Sequence, residues 1–280
     1  MIPTIRLLGL EFADLDVAAA ATWLARRPAK APFGYVTTPN ADHLVRLSRQ
    51  PWMAPLYRDA LMRLLDSRVV ARVARLAGLP APRVTPGSDL TEVLLTRHLA
   101  VDEHVTIVGL QPEWLPALVA RCGLAPPAHY DPPMGFIGDA GALRATVEFV
   151  LMHPARFVFL AVGSPRQEVL AAAIASTREA TGVGLCIGAS LEFLAGAAQR
   201  APLWVQHAGL EWLYRLGKEP RRLARRCLRD CPSVFPMLLR APAAFAPGCR
   251  FRAERSGSDH RLTLIGDADG GDDCRAETDA

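Results

Sequence analysis

Three small polar clusters in this chain each stand directly after a short apolar run. Thr38 ends the run Gly34–Thr38 and Pro39 and Asn40 follow it, with Asp42 and His43 in the next turn. Asp66 follows Arg63, Leu64 and Leu65, and Gly163, Ser164 and Gln167 follow the run that begins at Arg156. Polar residues just past the carboxyl ends of parallel strands are where open α/β sheets bind ligands. Asp66 behind two leucines suits a general base whose pKa is raised by apolar neighbours. The same spacing suits an N-cap on a helix over 67–77, and spacing alone favours the cap. Asn40 and Ser164 stand at helix starts, where unpaired N–H groups and the positive dipole end can cradle a diphosphate. Ordinary capping explains both residues as well. His43 reads as a packing or surface histidine.

A fourth group has a different chemistry. Arg215, Lys218, Arg221, Arg222, Arg225, Arg226 and Arg229 are interleaved with Trp212, Leu213, Leu216, Leu223 and Leu228, and face only Glu219 and Asp230. A cationic amphipathic helix of this kind suits anionic headgroups or a lipid-linked diphosphate. Phosphate backbones are a competing partner for such charge. The adjacent tryptophan and leucines favour an interface over a duplex.

These residues must be positioned by elements with legible periods. Short apolar runs predict strands over 5–10, 34–38, 63–66, 105–109, 156–163 and 183–187. Helical periods occupy 41–50, 67–77, 90–99, 112–122, 140–153 and 165–181, which together predict an α/β chain with a mostly parallel sheet covered by helices. Ser164, Pro165 and Gln167 carry the spacing of an N-cap, a first-turn proline and a capping box. Asp89 and Glu92 repeat that spacing for a helix starting at Leu90. No GxGxxG follows a strand and no P-loop is present, so a nicotinamide-binding enzyme is disfavoured. Asp14/Asp16 and Asp267/Asp269 have DxD spacing but read as solvated surface, and neither a metal nor a cofactor is expected.

The chain divides into a core over 1–200, an Arg/Trp-rich helical appendage over 201–252 and an acidic tail over 253–280 expected to be disordered. That tail, counted from Glu254, carries a formal −5, leaving +9 on residues 1–253 to meet phosphates or an anionic surface. The 280 residues, half of them hydrophobic, suffice for a full core. The apolar runs fall short of a membrane span and the N-terminus lacks a secretory signal, so a cytoplasmic protein is expected. The six cysteines lack CxxC spacing and read as free thiols.

The stretch GASLEFLAG, followed by AQRAPLWVQHAGLEWLYRLGKEPRRLARRCL, resembles the C-terminal signature of the WecG/TagA/CpsF glycosyltransferases, glycosyltransferase family 26. YVTTPNADHLV, LLDSRVVARVARLAGL, RVTPGSDL and VGSPRQE resemble its other blocks, in the family's order, so that the resemblance covers about Ile5 to Arg229. It implies a Rossmann-like core with a membrane-contacting C-terminal appendage. It also implies an inverting, metal-independent transfer from a UDP sugar to a sugar carried on a polyprenyl diphosphate. The donor would be of the N-acetylmannosamine type, its uronic acid or a hexose. By position, Asp66 matches the family's proposed base. Thr38 and Asn40 match the TxN block of the donor pocket, and Arg83 matches an arginine suited to the diphosphate. Gln167 matches the glutamine of the PxQE motif near the transferred sugar, and Gly163 precedes it in the same VGSPRQE block as a further binding residue. Arg215, Arg222 and Arg225 align with appendage arginines that reach the lipid diphosphate. Two blocks depart from the pattern. Asp66 is followed by Ser67 where glycine is usual, and Leu191–Glu192–Phe193 stands for Phe-Asp-Phe, so Glu192 is the residue expected at the nucleobase. The first departure motivates a rival reading, a silent nucleotide-sugar-binding or scaffold subunit of a polysaccharide assembly. The arginine run motivates a second, a nucleic-acid-binding α/β protein.

Overall fold

A computed structural model describes residues 2–100, 102–199, 201–202, Val205, Tyr214, Gly217, Val234–Leu239, Cys249–Ser256 and Asp259–Gly266. Its centre is a six-stranded, all-parallel sheet built from β3 (Gly34–Thr37), β4 (Met62–Arg63), β5 (Thr106–Gly109), β6 (Ala128–Tyr130), β7 (Phe157–Ala161) and β8 (Val183–Cys186). The strand order is β4-β3-β8-β7-β5-β6, a Rossmann-like α/β arrangement. Parallel strands covered on both faces read as continuous apolar runs. In β7, Phe157 and Phe159 point into one layer while Val158 and Leu160 point into the other, all at most 1% exposed.

One layer is formed by α1 (Val17–Ala25), α5 (Gly87–Arg97), α6 (Leu115–Cys122) and α9 (Ser190–Ala195), packed on Val36, Ile107, Phe159 and Leu185. The other is formed by α7 (Ala140–Met152) and α8 (Arg166–Thr177) against Tyr35, Val108, Leu160 and Cys186. A third cluster joins α2 (Ala41–Arg49), α3 (Ala54–Arg58) and α4 (Arg68–Leu76) to an N-terminal hairpin of β1 (Thr4–Leu7) and β2 (Leu10–Ala13). The run 5–10, predicted as one strand, is therefore broken by a Leu8–Gly9 turn and lies outside the main sheet, its two strands paired antiparallel. Both turn residues have positive φ, which matches the twist of a two-residue hairpin. Arg63 fastens this hairpin to α3 by donating to the Glu11, Tyr57 and Arg58 carbonyls.

α10 (Val234–Leu239) packs on α2 and α4, and Leu238, 1% exposed, completes the third cluster. Beyond it, β9 (Cys249–Ser256) and β10 (Asp259–Gly266) pair antiparallel, in a stretch whose acidic composition predicts disorder from residue 253. At the opposite end of the sheet from the polar clusters, Arg156 grips both Glu103 oxygens at 2.6 Å and donates to the Ala25 and His98 carbonyls. That fork ties the start of β7 to the turns before β5 and after α1. Among the described residues no helix is long and apolar enough to cross a membrane. The described cysteines Cys122 and Cys186 are free thiols.

Candidate active site

The strand order sets the carboxyl ends of β4, β3, β8 and β7 side by side, so Asp66, Thr38, Gly188 and Gly163 form a row across one edge of the sheet. Pairing continues past the named strands. The Leu64 N–H donates to the Thr37 carbonyl at 2.9 Å and the Asp66 N–H to that of Pro39 at 3.1 Å. On the other side, Val84 bridges Leu65 and the Thr85 N–H donates to Leu65 O at 2.8 Å. Asp66 is thus held between two backbone segments. It does not cap α4: Ser67 does, its Oγ accepting from the Val70 N–H at 3.2 Å. The Asp66 carboxylate instead accepts the Gly87 N–H at 3.1 Å through Oδ2. Gly87 is the first residue of α5, which starts three residues before the expected Leu90, with Pro86 in the cap position. A carboxylate at that helix end meets unpaired N–H groups and the positive dipole.

Thr38 lies behind this contact, buried, with its hydroxyl donating to the Cys186 carbonyl at 3.3 Å. A Cβ on Gly87 would stand 2.8 Å from Thr38 Oγ1. Asn40 is the cap its position predicts. Its Oδ1 accepts the Asp42 and His43 N–H groups, and its own N–H donates to His43 Nδ1 at 3.3 Å. That last bond requires the neutral His43 tautomer with its proton on Nε2. His43 is accordingly a buried cap partner, 8% exposed. With Asn40 Oδ1 occupied, its Nδ2 is the end able to meet a ligand.

The turn into α8 differs from its predicted capping box. Gly163, at φ +75°, swings the chain out of β7, the Ser164–Pro165 peptide is cis, and Pro165 takes the cap position with no side-chain bond. Gln167 reaches elsewhere. Its Oε1 accepts the Gly188 N–H at 2.8 Å, and its Nε2 donates to Glu168 Oε1 at 2.9 Å. Both side chains are buried, at 2% and 1% exposed. Burial pushes the Glu168 carboxyl above its ordinary value, opposed by the Gln167 and Ser164 hydrogen bonds and the charge of Arg46. Arg46 links α2 to this turn, pairing with Asp42 Oδ2 at 2.7 Å and donating to the Ser164 carbonyl at 3.3 Å.

Asp66 and Gln167 are consequently linked across the edge through Gly87, Thr38 and Cys186, whose carbonyl accepts from Thr38 and whose thiol donates to the Gln167 carbonyl. Arg83 comes close in the backbone, next to Val84, but its guanidinium turns to Asp16 at 3.2 Å, and its N–H donates to Asp14 at 2.8 Å. That exposed pair is worth at most about 1 kcal/mol, so the guanidinium can exchange partners readily. Asp16 also caps α1, so the Asp14/Asp16 pair has structural work rather than a purely solvated surface. Glu192 stands half-buried in the first turn of α9, after the Gly188 loop. Arg215, Arg222 and Arg225 lie outside the described residues.

Sequence reasoning missed Gly87, Arg46 and Glu168. For the α8 pair a signal existed: Gln167 lies at helical spacing with Leu170, Ala171 and Ile174, so a polar residue sits on the buried stripe. The short edge strand β6 went unseen because Ala128, His129 and Tyr130 are all only half-buried.

In comparison with known families, the model described as "Glycosyl transferase WecG/TagA/CpsF family" matches residues 5–246. The match spans the whole parallel sheet, every site residue named above and α10. The chain, with its polar row at the carboxyl edge of a Rossmann-like sheet, belongs to the WecG/TagA/CpsF family of glycosyltransferases.

Proposed function

We propose that this chain transfers a sugar with inversion from a UDP donor to a sugar carried on a polyprenyl diphosphate, in bacterial cell-surface or exopolysaccharide synthesis. The donor sugar would be of the N-acetylmannosamine type, its uronic acid or a hexose. The observation that carries this reading is the Asp66 carboxylate, set by the Gly87 N–H beside Thr38 and Asn40 at the carboxyl edge. Asp66 takes the proton of the acceptor hydroxyl as its oxygen attacks the anomeric carbon. The bond from that carbon to the diphosphate oxygen breaks, and UDP leaves with the electron pair. One base on the acceptor side suffices for inversion.

The leaving diphosphate gains negative charge, which fixed N–H groups and guanidinium stabilise without reorganisation. Arg83, released from its weak pair with Asp16, serves that end, and Arg215, Arg222 and Arg225 serve the lipid-linked acceptor. Metal independence is supported by the occupation of Asp14 with the Arg83 backbone N–H and of Asp16 with the α1 cap. Thr38, Asn40, Gly163 and Gln167 line the donor side, and Glu192 meets the nucleobase. The cationic run over 215–229 holds the protein to the inner face of the plasma membrane.

The test is transfer from a panel of UDP sugars to a lipid-diphosphate-linked N-acetylglucosamine, with and without a chelator, alongside pelleting with anionic vesicles. Turnover with one donor, unchanged by chelation, is expected. Saturable UDP binding with no turnover from any donor would instead favour the scaffold reading.

A further inference from the structure

Glu168 is a buried acid that the transfer mechanism does not use. Its Oε1 accepts from Gln167 Nε2 at 2.9 Å, while its Oε2 lies buried in one nest with the Ser164 and Tyr57 hydroxyls. The nest is walled by Tyr35 of β3, Tyr57 of α3, Cys186 of β8 and Arg46 of α2, each close enough to Glu168 to couple with it electrostatically. Arg46 pairs with Asp42 and donates to the Ser164 carbonyl, and its Nε is buried without a hydrogen-bond partner.

The neighbouring amide has its orientation dictated from both sides. The Gly188 N–H can only donate, so the Gln167 atom facing it must be Oε1, and Nε2 must face Glu168. Gln167 therefore has one N–H left for a ligand, and Glu168 decides where that N–H stands.

We propose that Glu168 is a positioning residue for the donor side: its buried Oε1 holds the Gln167 amide in the one orientation that also anchors the Gly188 loop. This rests on the transferase reading for its kinetic consequence, but not for its structural one. Glutamine at 168 keeps the acceptor in place, its Oε1 taking the Gln167 Nε2 bond. Leucine removes the acceptor and leaves the Gln167 Nε2 unpaired.

The experiment compares E168Q and E168L with the unaltered protein by two readouts at neutral pH. In amide hydrogen exchange, Gly188 is expected to exchange about tenfold faster in E168L, the loss of one ordinary hydrogen bond, and to stay within about threefold in E168Q. In transfer assays E168L is expected to raise the donor KM about tenfold with a smaller fall in kcat, while E168Q keeps both within about threefold. An E168Q protein with Gly188 released overturns the proposal even if E168L fails to fold. Unchanged Gly188 exchange in E168L overturns it as well. Absence of turnover from every variant, with the exchange difference intact, refutes the transferase reading and leaves the positioning role standing.

Discussion

The Gly87 N–H donates to Asp66 Oδ2 at 3.1 Å across 21 residues of sequence, and the hydrogen that stands for a side chain on Gly87 points at Thr38. One glycine thus sets both the carboxylate and the threonine behind it. The contact also explains why Asp66 is not a cap, since Ser67 supplies that bond and releases Asp66 to the sheet edge.

Substituting Gly87 by alanine is expected to impair the site more than the fold. The new methyl would meet Thr38 Oγ1 at 2.8 Å, and relief requires Thr38 to leave the Cys186 carbonyl or α5 to withdraw from Asp66. Either displaces a group by a few tenths of an ångström or more. Steady-state kinetics should show kcat/KM down by about tenfold or more, with stability lowered by about 1–3 kcal/mol in thermal unfolding.

Asp66→Asn separates chemistry from structure. The amide oxygen can still accept the Gly87 N–H, so the edge keeps its shape, but the side chain no longer accepts a proton. A fall in kcat of about 10²–10⁴ is expected, with UDP affinity by calorimetry within about threefold. Full turnover by this variant would remove Asp66 from the role of base.

Stability should carry a pH signature from Glu168. Burial raises its native pKa above the ordinary value of 4.5, with Arg46 and the Gln167 and Ser164 hydrogen bonds opposing. Between 4.5 and the raised value the native protein keeps a proton that the unfolded chain has released. Stability from this group therefore falls as pH rises through that window. Glutamine at 168 does not titrate, so chemical denaturation should show E168Q gaining on the unaltered protein as pH rises from 4.5. The facing tyrosines and Cys186 are themselves raised by burial and titrate higher.

Leu238 ties the C-terminal part of the chain to the core. It is 1% exposed against α2 and α4, and Leu238→Ala should cost about 2–4 kcal/mol by the usual cavity penalty. Truncation after residue 200 removes the whole contact and should lower the melting temperature further. An unchanged melting temperature in both would show that this segment does not pack there in solution.

Arg156→Ala provides the converse case, stability without chemistry. It removes two 2.6 Å bonds to Glu103 and two to backbone carbonyls at the far end of the sheet. A loss of about 2–4 kcal/mol is expected by denaturant unfolding, with kcat changed less than about threefold under conditions where the variant is folded.

What the residues alone determined were the features that depend on neighbours a few positions away. The apolar runs of β3, β5, β7 and β8 declare strands buried on both faces, and the Asn40 cap closes within three residues. The family blocks, each continuous in sequence, also marked Thr38, Asn40, Asp66 and Gln167 before any contact was known. Tertiary structure decided what those side chains touch. Gly87 on Asp66, Gln167 on Gly188, Arg46 on Ser164 and Arg83 on Asp16 are pairs set 21 to 118 residues apart. Their partners are chosen by strand order rather than spacing. Sequence periods fix which face of an element is buried. The crossover order of the sheet then selects which carboxyl ends become neighbours, and a buried polar atom bonds to whatever that order brings within 3 Å.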